Sequence, residues 1–276
     1  MQHTINSLIQ ETRKNIDIID IYVLLMFVLQ VDKNFLLING KIDISEHSTS
    51  KFFELCKRRA KGEPTQYIIN SCEFMSLNFY IDNNVLIPRP DTEILVETIL
   101  ENESNGAEKL GLEIGSGSGC ISISLSYYGN YFMHGIDISQ KAIDIANKNA
   151  DSILETNNSC KFYQSDLFKN IKPDSFDFVV SNPPYIPTND IEQLSINVKN
   201  FEPICALDGG KDGLGFYRKI CRQAKYFLKP NGNIYFEIGY NQADDVALLL
   251  KTNGYTNIKI IKDLAGLDRV VKAVSL

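Results

Sequence analysis

Leu110-Gly111-Leu112-Glu113-Ile114-Gly115-Ser116-Gly117-Ser118-Gly119 is the stretch whose reading decides the fold. Its first half is an apolar run of strand length, and its second half places glycine at every other position. A helical stretch through Ile121 to Leu125 follows, so the segment reads as strand, tight loop, helix. The same grammar repeats downstream. Tyr131 to Ile136 reads as a second strand ending at Asp137, with a helix over Ala142 to Ala150. Lys161 to Gln164 is a third strand ending at Asp166, and Phe176 to Val180 a fourth, ending at Asn182-Pro183-Pro184-Tyr185. A helix from Gly215 to Leu228, a strand at Asn233 to Ile238, a helix at Asp244 to Leu250 and two last strands complete the run. Such alternation predicts an α/β fold, a mostly parallel sheet covered by helices on both faces. In these sheets ligands bind beyond the carboxyl ends of the strands. The four unusual strand endings all lie there.

Upstream the texture differs. Ile5, Leu8 and Ile9 share a helical face, and Ile16 to Leu29 is apolar nearly all round, which predicts a buried helix. Ser50 is a candidate cap for a third helix through Phe52, Phe53, Leu55 and Cys56. Up to about Pro64 the expectation is a small helical bundle without strands. Phe74, Leu77, Phe79 and Ile81, then Val85 and Ile87, read as short strands around a turn at Asp82-Asn83-Asn84. Pro88-Arg89-Pro90-Asp91-Thr92-Glu93 then opens a helix, with proline and acids in its first turn. The expected organisation is a helical domain at 1–72, a β-hairpin linker at 73–88 and an α/β domain at 89–276.

Bulk composition narrows the function classes. The 276 residues carry a formal net charge of -6, with 44% hydrophobic and 22% charged residues. A groove for duplex nucleic acid calls for a basic stripe to displace counterions. The only dense basic run, Lys57, Arg58, Arg59 and Lys61, reads as a solvated helix end. No sequence-specific nucleic-acid contact is expected. Six scattered cysteines and three dispersed histidines give no zinc spacing, so no metal is expected and the thiols read as buried and reduced. The most apolar run, Ile21 to Leu29, falls short of the roughly 20 residues a membrane span needs, and no basic segment precedes it as in a signal peptide. The expected location is the cytoplasm.

The strand endings carry the chemistry. Glycines at 115, 117 and 119 with Cys120 next give G-x-G-x-G, not the G-x-G-x-x-G of dinucleotide folds, which disfavours a nicotinamide dehydrogenase. The pattern resembles the nucleoside-methionine loop of class I methyltransferases, in which Gly115, Ser116, Gly117, Ser118 and Gly119 would pass beneath a carboxypropyl chain and ribose. Asp137 can accept hydrogen bonds from two ribose hydroxyls, which its spacing from Gly115 favours; with Ser139 it can also cap the next helix. Asp166 can accept from an exocyclic amine such as adenine N6, and Leu167 offers the ring an apolar face.

Asn182-Pro183-Pro184-Tyr185 suits a planar amide or amine nitrogen, whose delocalised lone pair makes it a poor nucleophile. The Asn182 side-chain oxygen and the Pro183 carbonyl can hold its two N–H protons and turn the lone pair outward. The prolines fix the backbone extended, and Tyr185 can stack on the planar group. No strong base is needed, since transfer from a sulfonium is driven by the cofactor, S-adenosyl-L-methionine.

These residues resemble the bacterial and organellar release-factor glutamine methyltransferases along roughly the whole chain. Glu63-Pro64-Thr65-Gln66-Tyr67-Ile68 is similar to that family's E-P-x-Q-Y-I element, and Leu86 to Glu93 to its most distinctive stretch. Phe201-Glu202-Pro203 with Ala206-Leu207 and Gly209-Gly210 matches its later loop. Departures are Glu113, where Asp is commoner, and Asn70, where Gly is frequent. The resemblance implies a Rossmann-like class I methyltransferase domain with a seven-stranded, mostly parallel sheet. It implies methylation at N5 of the glutamine in the Gly-Gly-Gln motif of peptide-chain release factors. Asn182, Pro183, Pro184 and Tyr185 would hold that glutamine, Arg89 to Glu93 would line the site floor, and the helical domain would grip the release factor. A relative that methylates a glutamine of a ribosomal protein shares nearly every motif. An N6-adenine DNA methyltransferase shares the tetrapeptide, but no basic recognition region accompanies it here. A non-catalytic binding module would have no need of two aligned acceptors.

Overall fold

The computed structural model describes residues 3–103, 108–154, 159–172 and 176–276. The chain divides into two compact units, one made of Met1–Ser71 with Ser195–Phe201, the other of Cys72–Leu194 with Glu202–Leu276.

In the first unit, β1 (His3–Thr4) leads into α1 (Ile5–Thr12), followed by α2 (Ile18–Leu29), α3 (Lys33–Ile38), β2 (Asp43–Ile44), α4 (Glu46–Ala60) and α5 (Thr65–Ile69). The expected strand-free bundle therefore carries one two-residue antiparallel pair, β1 with β2. α2 starts where Asp17 accepts from the Ile19 amide. It buries Ile21, Leu24 and Leu25 completely, while Ile19 stays 71% exposed. A unit this small has too little interior to bury all sides of an apolar helix. The cap of α4 is Ser45, which accepts from the Ser48 amide, not the expected Ser50. Capping needs the hydroxyl just ahead of the first free amides, and the helix begins a turn earlier than its apolar residues suggest. Its basic last turn is tied down, Arg58 to Glu63 at 2.5 Å and Arg59 to Asp20 at 2.6 Å. Thr65 donates to the same Asp20 at 2.6 Å.

The second unit opens with a hairpin, β3 (Cys72–Phe74) and β4 (Leu77–Phe79). Its turn is Met75-Ser76, with φ of 50° and 57°, and not Asp82-Asn83-Asn84 as the sequence suggested. Two central residues at positive φ match the twist of paired strands. Tertiary bonds hold this turn: the Met75 amide donates to Glu93 Oε1 at 2.6 Å, and the Met75 carbonyl accepts from the Tyr128 hydroxyl at 2.6 Å. Asp82 instead folds a local turn, Oδ1 accepting from the Asn84 amide at 2.8 Å, and Val85 and Ile87 are buried loop residues.

After α6 (Pro90–Glu103) come β5 (Leu110–Ile114), α7 (Cys120–Gly129), β6 (Phe132–Asp137), α8 (Gln140–Ile153), β7 (Cys160–Gln164) and β8 (Phe176–Ser181). The chain then supplies α9 (Ile196–Lys199) to the first unit and continues with α10 (Gly215–Ala224) and β9 (Leu228–Glu237). α11 (Ala243–Thr252), β10 (Thr256–Lys262) and β11 (Asp268–Val274) close the chain. Among the described residues the main sheet has seven strands, ordered β10-β11-β9-β8-β5-β6-β7. Pairings from β7 across to β9 are parallel, and β11 is antiparallel to both neighbours. Phe178, Val179 and Val180 of β8 are wholly buried, as a central strand covered on both faces requires. Such burial is worth about 1.5–3 kcal/mol per large apolar side chain. The strand order reverses between β5 and β8, which makes their carboxyl ends the switch point where a crevice opens. No described helix is long and apolar enough to cross a membrane.

Candidate active site

A cavity of about 480 Å³ lies at that switch point, within the second unit. Its base is the loop after β5. Ile136 carbonyl accepts from the amides of Gly115 and Ser116 at 2.8 and 2.9 Å, which folds the loop back over β6. Asp137 Oδ2 accepts from the Gly117 amide and Oδ1 from the Ser139 amide, both at 2.9 Å. Of the two roles expected for Asp137, the helix entry is built here, and the same carboxylate also anchors the glycine loop; burial raises its pKa against the pull of these amides. Gly115 and Gly117 sit at φ of 77° and 52°, and a Cβ on either would meet no protein atom within 4 Å. Their missing side chains therefore open the cavity. Gly119, at φ 80°, does not line it; a Cβ there would press on Phe162 and Ala146 at 3.0 and 3.1 Å.

Beneath the loop, Glu113 is buried and its Oε2 accepts from the Ser122 amide at 3.0 Å and hydroxyl at 2.5 Å. Burial pushes its carboxyl up to about 8 despite those bonds. At the third strand end, Asp166 is exposed and paired with Lys169 at 2.5 Å, which lowers its pKa. Leu167 follows at φ 51° with its side chain against the core; both residues line the cavity.

The opposite wall is the exit of β8. Ser181 Oγ donates to the Ile114 carbonyl at 2.7 Å, locking β8 to the root of the glycine loop. Asn182 Nδ2 donates to Thr92 Oγ1 at 3.2 Å. Asn182, Pro183 and Pro184 line the cavity; Tyr185 stands beside it, packed on the core, and burial pushes its hydroxyl up to about 12. Its carbonyl accepts from Gln242 Nε2 at 3.0 Å. Gly209 lets the later loop approach this exit: a Cβ there would fall 2.7 Å from the Pro184 carbonyl oxygen.

Of the run Arg89 to Glu93, Arg89 and Thr92 line the cavity, while the other side chains pin neighbouring elements. Arg89 pairs with buried Glu202 at 2.5 Å, Asp91 with Arg269 at 3.0 Å, and Glu93 with the hairpin turn. Sequence reading missed the cavity residues Ile204 and Cys205, and Cys205 is exposed rather than buried like most of the other thiols. It also missed Glu237, 1% exposed at the end of β9. A fifth strand ending in an acid was the available signal. No group of metal ligands occurs among the described residues.

An open, glycine-floored cavity with carboxylates at two strand ends and an apolar residue beside the second fits an elongated amino-acid nucleoside. Together with the fold, this defines a class I methyltransferase that uses S-adenosyl-L-methionine. Family models agree: residues 89–198 match the methyltransferase small domain and residues 3–69 the PrmC N-terminal domain. The release factor glutamine methyltransferase of Clostridium acetobutylicum is 42% identical over 97% of this chain and 95% of its own length. That of Clostridium botulinum is 44% identical over 92% and 91%. Among solved structures, a methyltransferase from Pyrococcus furiosus shares the fold, with a TM-score of 0.57 at 18% identity over 73% of this chain and 90% of its own. The chain belongs to the release factor glutamine methyltransferase family.

Proposed function

We propose that the chain methylates the side-chain amide nitrogen, N5, of the glutamine in the Gly-Gly-Gln motif of peptide-chain release factors. The observation that carries this reading is Asn182 in the cavity wall with its Nδ2 turned to Thr92. That leaves Oδ1 to accept one amide proton of the glutamine. The Pro183 carbonyl accepts the other, so the nitrogen lone pair is directed away from both acceptors. Tyr185 covers the amide plane, and Arg89 borders the glutamine's approach. S-adenosyl-L-methionine supplies an electrophilic methyl group, which is why alignment suffices and no strong base is required. Gly115 to Ser118 pass beneath its amino-acid chain, with Gly119 turned inward to support them, Asp137 takes the ribose hydroxyls, Asp166 the adenine amine, and Leu167 the ring face.

In this reading the helical domain, 1–72, docks the release factor, 73–88 links, and 89–276 carries out transfer. Binding energy from such a remote contact positions a weak nucleophile. Release factors and their enzyme then share the cytoplasm, and nucleic acid is not contacted in a sequence-specific way. The test is mass spectrometry after incubation with methyl-labelled cofactor and, in parallel, release factors, ribosomal proteins and DNA. Label on the Gly-Gly-Gln glutamine is expected. Preferential label on a ribosomal-protein glutamine or on adenine overturns the assignment.

A further inference from the structure

An asparagine side chain can present either end to a ligand, and the chemistry above, on which this inference rests, works with only one. Something must set the choice. Asn182 Nδ2 lies 3.2 Å from Thr92 Oγ1. The Thr92 hydroxyl and the Asn182 amide both face the carboxyl of Glu237 and favour its charged form. Thr92 is 3% and Glu237 1% exposed, and Glu237 Oε2 has no hydrogen-bond partner of its own. A carboxylate only accepts, and a threonine hydroxyl has one proton. Given to the facing Glu237 carboxylate, that proton leaves Thr92 able only to accept from Asn182, the direction in which their bond is made. Nδ2 is thereby held to the protein side, and Oδ1 is the end left for the cavity.

We infer that Glu237 and Thr92 are positioning residues that fix, through the direction of their hydrogen bonds, which end of the Asn182 amide faces the acceptor. Neither is part of the cavity's contact with the reacting nitrogen; they act through Asn182.

The device is sensitive to the charge state of one group. Burial raises the Glu237 carboxyl to about 7, and Thr92, Arg269 and Asn182 oppose the rise while Asp91 adds to it. Arg269 on β11 lies 3.0 Å from both Asp91 of α6 and Asp263 beyond β10. From the exit of β8 comes Tyr185 and from α10 Tyr217, whose hydroxyl donates to the Glu237 carbonyl at 2.8 Å. Both tyrosines are shifted upward, Arg269 is shifted upward and Asp263 downward, so none of these four changes charge near neutrality. A protonated Glu237 can donate to Thr92, which reverses the chain and frees Asn182 to turn.

The side-chain amide of Asn182 reports this directly in the protein without cofactor. In a sample labelled with ¹⁵N-asparagine, its Nδ2 proton pair is identified by its disappearance in Asn182→Ala. That pair should shift with pH through a single titration across neutrality, and Glu237→Gln should abolish the shift. Thr92→Val should lower kcat by ~10-fold or more with cofactor affinity nearly unchanged, and Thr92→Ser should restore it. A pair that does not move with pH, or one that still titrates in Glu237→Gln, overturns the inference. Equal kcat in Thr92→Val and wild type does so too. Failure of the proposed substrate would leave the spectroscopic result standing, so the two readings fail separately.

Discussion

The two walls of the cavity are made in opposite ways. On the β5 side the protein withdraws its side chains: Gly115 and Gly117 leave space, and backbone amides and one aspartate do the holding. On the β8 side it lines the wall with side chains and restrains them, Ser181 on Ile114 and Asn182 on Thr92, while Gln242 holds the backbone carbonyl of Tyr185. A flexible, many-contact ligand suits the first wall, whereas a single planar group that must be held in one orientation suits the second. Binding and alignment are thus entrusted to different parts of the molecule, and substitutions should separate them.

The largest effect expected is on alignment. Asn182→Ala should reduce methyl transfer by ~10²-fold while cofactor binding persists, since one aligned transition-state contact is worth about that much. Labelled-methyl incorporation and thermal shift, measured on the same sample, check it; loss of both together would merge the two walls into one. Gly117→Val is the mirror case. A β-branched residue at φ 52° is strained, and its side chain enters the cavity. The stabilisation of about 2.7 kcal/mol that a ligand gives at a hundredfold excess over Kd should largely vanish. Cofactor affinity within twofold of wild type would show that the open floor is not where binding resides.

Gly119→Ala tests the part of the loop that faces inward. Positive φ and contact with Phe162 and Ala146 predict a stability loss of about 1–3 kcal/mol, read from denaturant unfolding. The last effect concerns Glu113 and is confined to a window of pH. Folding lifts its carboxyl from 4.5 to about 8, so the folded chain retains a proton that the unfolded chain gives up. Its stabilising contribution is full below pH 4.5 and declines as pH rises to about 8. Glu113→Gln should remove that decline, so melting temperatures of variant and wild type diverge as pH climbs through this window. Parallel curves would place the ionisation elsewhere.

What the sequence made legible follows from range. The glycine loop and the strand endings are local, each spelled by a run of a few residues, and so the sheet and its ligand edge could be read directly. The hairpin turn could not. Asp82-Asn83-Asn84 has stronger turn chemistry than Met75-Ser76, yet bonds from Glu93 and Tyr128 select the latter. Thr92 and Asn182 are 90 positions apart, and Glu237 reaches them only through the packing of β9 beside β8. Periodicity carries no trace of such a network, although an acid at a fifth strand end marked one member of it.

The first unit is completed by Ser195–Phe201, far along the chain from Met1–Ser71. A β-carbon on Gly62 would sit 3.1 Å from Ile196 and 3.3 Å from Asn197, a measure of how closely this late segment is fitted in. Synthesis runs from the amino end, and domains ordinarily fold in that order as they emerge. Here the earliest unit to leave the ribosome is missing seven residues until most of the later unit has been made. The part that is translated first therefore cannot be finished until Cys72–Leu194 of the second unit has followed it.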